Sequence, residues 1–160
     1  MDKITLDRIE KLYPTVRDSA RKAYAEICEA LKGRAICRFS HTYRSNAEQD
    51  ALFAIGRNKP GKKVTNARAG QSYHNYGMAI DIVLLVDKDG DGKFESASWE
   101  TNVDFDGDGR ADWMEVVAIF KRHGWEWGGD WKFTDMPHFQ KSNGISISQL
   151  QKTYPKGLQL

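Results

Sequence analysis

MAIDIVLLV, residues 78–86, carries apolar side chains at every position except Asp81, and it sets the fold. A run of this length, rich in β-branched and branched aliphatic residues, reads as a strand covered on both faces, central in a sheet. The one carboxylate inside it therefore needs a reason. Upstream lies QSYHNYG, residues 71–77, with His74 seven positions before Asp81. Downstream the chain turns sharply acidic. From Asp87 to Glu115 ten acidic residues face only Lys88, Lys93 and Arg110, a local net charge of −7 that leaves +9 on the rest of the chain.

Further elements can be read around this strand. Residues 15–31 place Val16, Ala20, Ala23, Ile27, Ala30 and Leu31 at helical spacing, and Gly33 follows as a stop. AICRF, residues 35–39, reads as a strand. Ser45 with Glu48 forms a capping-box signature that starts a helix running to about Ile55, before Gly56. A helix is expected over residues 112–122, stopping near Gly124, and WEW (125–127) and PHFQ (137–140) read as short strands. Helices come early and separated strands late. This predicts an α+β fold: one domain over residues 1–160, with a small antiparallel-leaning sheet flanked by helices and an acidic insert at 87–115. Residues 57–71, rich in Gly, Lys, Arg and Asn, read as a long loop bordering a cleft.

The chain has 160 residues, 40% hydrophobic and 29% charged, the balance of a water-soluble globular domain. No apolar run approaches the roughly 18 residues of a membrane span, so no stable membrane insertion is expected. The start, MDKITLDRIEKLYP, lacks the basic-then-apolar layout of a signal peptide, which predicts cytoplasmic synthesis. Cys28 and Cys37 are too few for a disulfide framework and lack zinc-finger spacing; both read as buried reduced thiols. No nucleic-acid motif organises the Lys and Arg residues, so no nucleic-acid partner is expected. The uneven charge suits cation binding in the insert and either an anionic partner or a plain solvated surface on the body.

Zinc in enzymes takes three nitrogen or oxygen ligands from the protein and keeps one position for water. His74 and Asp81 supply two such donors. His138, in TDMPHFQ, is the best third, because Asp135 stands three residues before it. A carboxylate so placed can take a proton from a metal-bound water and pass it to the leaving amine. Each histidine alone also reads as an ordinary hydrogen-bonded residue. His123 fits a helix-end dipole contact, and His41 has no evident partner.

Ser72-x-His74-x-x-Gly77-x-Ala79-x-Asp81 resembles the first motif of the metallopeptidases named after lysostaphin, D-Ala-D-Ala carboxypeptidase and sonic hedgehog. Asp135-Met-Pro-His138 resembles their second motif. YRSNAEQDALFAIGR (43–57) is similar to their Tyr-Arg-Ser segment, and WEWGGDW (125–131) to the block before the second motif in phage endolysins. The resemblance covers about residues 35–140 and implies a hedgehog/D-Ala-D-Ala-peptidase-like fold. It implies zinc held by His74, Asp81 and His138, with Asp135 as acid/base. It also implies that Arg44 binds a substrate carboxylate or oxyanion, against a structural ion pair at a helix start. Ser72 becomes a substrate or metal-site hydrogen bonder, against a turn hydroxyl, and Gly77 and Ala79 become spacers for close approach to the metal. Carboxypeptidases of this family carry Glu at the acid position, so Asp135 leans toward L-alanyl-D-glutamate endopeptidases of endolysins. The implied partner is the bacterial peptidoglycan stem peptide, the implied state a monomer, and the implied route outward a holin-type pore. The rivals are a D-Ala-D-Ala carboxypeptidase and an inactive cell-wall-binding module. The cluster Trp125, Trp127 and Trp131 reads as core or cleft wall, or else as a sugar-stacking surface.

Asp104, Asp106, Asp108, Asp112 and Glu115 fall at positions 1, 3, 5, 9 and 12 of an EF-hand-like loop, with Gly109 at 6 and the Arg110 carbonyl at 7, which predicts calcium over a merely acidic, turn-rich loop. Asp87, Asp89, Asp91, Lys93 and Glu95 begin the same pattern, but position 12 is Ser98; the choice there is a weaker second calcium site or an acidic turn. Calcium is expected to order the insert and so position the active site.

Overall fold

The computed structural model describes residues 1–158. Two helices come first, α1 (Lys3–Ile9) and α2 (Pro14–Ala30). Asp2 caps α1 by accepting from the Thr5 N–H at 3.2 Å, and Arg38 grips the same carboxylate at 2.8 and 3.0 Å. α1 has no signature in the pattern, because seven residues with only Thr5 and Ile9 buried hold too little periodicity. α2 buries Val16, Ala20, Ala23 and Ile27 in the stripe their spacing predicts. Cys37 is buried, whereas Cys28, expected to be buried too, is only half-covered at the margin of that stripe; both are free thiols.

The strands β1 (Ile36–His41), β2 (Ala79–Val86), β3 (Ser96–Ser98), β4 (Glu126–Trp127) and β5 (His138–Gln140) form one sheet, antiparallel at every pairing. β2 is central, as its apolar run predicts. β1 lies along one edge; on the other, β5 pairs with Ala79–Asp81 and β3 with Leu84–Val86. β3, unannounced by the sequence, folds the acidic insert back against β2. Among the described residues three further helices follow: α3 (Asn46–Ala54), α4 (Asp112–Arg122) and α5 (Ile147–Thr153). α5 was not anticipated, although Ser146 and Gln149 form its capping box.

Ile80, Ile82 and Leu84 of β2 pack fully buried against α2 and against Trp113, Val116 and Phe120 of α4. Phe120 stacks on Phe139 with ring centroids 4.2 Å apart. Since strand side chains alternate, this arrangement turns Asp81 to the opposite face, away from the core. Trp125 and Trp127 are buried in the core, which removes them from any sugar-stacking role. Among the described residues, no helix is long and apolar enough to cross a membrane.

Candidate active site

Ser72 starts the short 3-10 turn Tyr73–Tyr76 by accepting from the His74 N–H at 3.2 Å, while Asn75 Oδ1 accepts from the Ser72 N–H at 3.2 Å. Gly77 ends the turn at φ +66° and releases the chain into β2. A Cβ on Gly77 would lie 2.7 Å from the Tyr13 nitrogen. The space it leaves therefore serves the backbone ahead of α2, correcting the expectation that Gly77 makes room at the metal.

His74 is buried, and its Nδ1 lies 2.7 Å from the Thr42 carbonyl oxygen. A carbonyl only accepts, so Nδ1 carries the proton and Nε2 presents a bare lone pair. That Nε2 finds no hydrogen-bond donor; what it faces, at 3.2 Å, is Asp81 Oδ1, itself an acceptor. His138 repeats the arrangement. Gln140 donates its amide N–H to Glu126 at 3.1 Å, which turns its carbonyl oxygen to His138 Nε2 at 3.0 Å. Nε2 is thus the protonated nitrogen, and Nδ1 aims its lone pair at Asp81 Oδ1 from 3.0 Å. Three acceptor atoms from His74, Asp81 and His138 gather within 4.8 Å of one another. Such a set suits a cation, and two imidazoles with one carboxylate fit zinc with a fourth position open. When protons rather than a metal sit between these atoms, the charged histidines hold the Asp81 carboxyl well below the usual carboxylate range although burial would raise it, and Asp81 raises His138 although burial would lower it.

The trio lies in a cleft of about 320 Å³ lined also by His41, Arg44, Leu52, Ser72 and Asp135. Asp135 is held by its N–H to the Gly128 carbonyl at 2.9 Å, and a side chain at 128 would collide with the Asp135 backbone. Burial, with the Asp81 charge, pushes the Asp135 carboxyl upward. Arg44 Nη1 donates to Gln49 at 3.1 Å, and Nη2 stands 3.9 Å from Asp81. The 57–71 loop borders the cleft through Val64 and Thr65, while Arg57 bonds the Phe53 and Thr65 carbonyls as a strut. The Trp131 ring lies beside that of His138, their centroids 5.3 Å apart. His123 caps α4 and pairs with Glu26 at 2.8 Å. The sequence reading missed His41 and Gln140. Two-residue strand periodicity would have placed Gln140 on the face of His138. Gln140→Leu removes the acceptor that sets the His138 tautomer. Zinc affinity should fall about 10–100-fold with the fold kept, as measured by competition with a chelator; unchanged affinity would show that the tautomer is set elsewhere.

Both acidic loops take the same backbone form. Gly107 and Gly109 donate to Asp104, each at 2.8 Å, as Gly90 and Gly92 do to Asp87. Carboxylate oxygens of Asp104, Asp106 and Asp108 gather within 4.8 Å, as do those of Asp87, Asp89 and Asp91. The loops then diverge. The second runs into α4 with Asp112 and Glu115 in its first turn, and burial pushes both carboxyls up. In the first, Glu95 is exposed and Ser98 is committed to β3.

A family profile described as D-alanyl-D-alanine carboxypeptidase matches residues 65–141, the segment holding His74, Asp81, Asp135 and His138. The chain is 45% identical over 130 residues to the peptidoglycan L-alanyl-D-glutamate endopeptidase CwlK of Bacillus subtilis (strain 168), covering 81% of this chain and 72% of that protein. Among solved structures, the vancomycin-resistance D,D-dipeptidase VanXYg, in complex with a D-Ala-D-Ala phosphinate analogue, overlaps 89% of this chain. It does so at TM-score 0.46 and 20% identity, and the chain spans 59% of that structure's length.

Proposed function

Because this chain belongs to the D-alanyl-D-alanine carboxypeptidase family of peptidases, we propose that it is a zinc-dependent peptidoglycan hydrolase that cuts stem peptides between L-Ala and D-Glu. The observation that carries this is the convergence of His74, Asp81 and His138, with His74 Nε2 left without a hydrogen-bond partner, in a cleft that also holds Asp135 and Arg44. The choice of bond follows the 45% identical relative and the aspartate at position 135. A zinc ion held by the trio would polarise the scissile carbonyl and make a water nucleophilic at neutral pH. Asp135 takes the proton of the attacking water and hands it to the departing amine; its raised proton affinity suits a group that must both accept and release. Arg44, anchored through one nitrogen to Gln49, turns its remaining donors to a substrate carboxylate or the developing oxyanion. Ser72 Oγ accepts the His74 N–H and keeps its own proton to donate toward substrate.

The same reading gives calcium to Asp104, Asp106, Asp108, the Arg110 carbonyl, Asp112 and Glu115. α4 follows directly, and its Phe120 stacks on Phe139 beside His138, so ordering the loop steadies a zinc ligand. The protein acts as a monomer on bacterial peptidoglycan, reached through a holin-type pore. Mass spectrometry of muropeptides digested at fixed zinc, with calcium present or chelated, tests the bond cut and the role of calcium. The expected products are stems split after L-Ala, formed more slowly without calcium. Release of terminal D-Ala alone would establish the carboxypeptidase reading, and equal rates would remove the calcium control.

A further inference from the structure

Resting on the calcium reading, we propose that Arg34 is a built-in counter-ion of the 104–115 loop, occupying the cation position until calcium displaces it. Arg34 lies on the turn between α2 and β1, 72 residues before Asp106 in sequence. Its Nη1 bonds Asp106 and stands 3.8 Å from Asp108, 3.5 Å from Asp112 and 3.6 Å from Glu115. These four carboxylates hold positions 3, 5, 9 and 12 of the loop, so a single guanidinium nitrogen stands within reach of four of its ligand positions, Asp104 at position 1 not among them.

The fit is incomplete. Asp112 is fully buried, yet neither of its carboxylate oxygens has a hydrogen-bond donor, and Glu115 Oε2 has none either. A buried carboxylate without donors is a costly group, and one guanidinium brings a single positive charge to four carboxylates. Its planar fork suits one or two oxygens at a time, whereas calcium binds six to eight oxygens at once and carries twice the charge. Arg34 therefore relieves the ion-free loop without satisfying it, and the guanidinium and the metal compete for one place. Surface ion pairs elsewhere bring a cation to one acid, as Lys3 to Asp7, or to two, as Arg21 to Glu10 and Asp18, and have no such geometry.

Calorimetric calcium titration of the full chain, compared with Arg34→Met and Arg34→Lys, tests the exchange. Removing the competitor raises the fraction of loops open to the metal, so Arg34→Met should bind calcium about tenfold tighter than the parent. In chelator the same variant should melt at a lower temperature, its buried carboxylates having lost their counter-charge, and calcium should erase the difference. Arg34→Lys, which keeps the charge, should fall between the two. Equal calcium affinity in the parent and Arg34→Met would overturn the exchange and leave the calcium reading intact. No calcium uptake by either protein would overturn both.

Discussion

Asp135→Asn should cut turnover of muropeptides by about 10²–10⁴, the usual contribution of a positioned acid/base, while zinc content stays the same. Asparagine has nearly the same shape but cannot take up a proton, so the attacking water loses its base and the departing amine its acid. The substitution is mild structurally. Asp135 is held by backbone contacts to Gly128, which the exchange leaves in place. The proposed zinc ligands are spared as well, since His138 takes its tautomer from Gln140 and its lone-pair direction from β5. Kinetics on purified muropeptides, paired with elemental analysis, separate a chemical defect from metal loss. A variant that keeps full activity would show that another group moves the proton.

His74→Ala should be still more damaging: zinc held below one ion per chain and turnover lost. Two ligand atoms would remain, fewer than the three that hold zinc with one position left for water. The fold should survive. The one contact removed from the backbone is that to the Thr42 carbonyl, and a buried carbonyl left without its donor costs about 1–3 kcal/mol. Circular dichroism and a melting curve should therefore look nearly native beside an empty metal analysis. Stoichiometric zinc in His74→Ala would mean that the ion is held by other residues.

Much of the site was legible because its chemistry is written in residue types at short range. His74, Gly77 and Asp81 lie within one turn and the start of one strand, and Asp135 and His138 flank the start of another. The acidic loop proposed for calcium is likewise local, twelve consecutive positions with carboxylates at fixed intervals. α1, β3 and α5 were not legible: each is short, and each is stabilised by contacts with distant residues, as when Tyr76 and Met78 bury Leu150 of α5.

The chain's own order of residues thus determined which groups could hold a metal, where the central strand runs and that an acidic insert follows it. Tertiary structure alone decided how those groups face one another. Asp81 and His138 are 57 residues apart yet become register partners across β2 and β5, and Thr42 and Gln140 choose which imidazole nitrogens are left bare. Arg34 reaches the acidic loop in the same way, across 72 residues. The reason is physical: residue type sets what an atom can donate or accept, but only packing sets what stands opposite it.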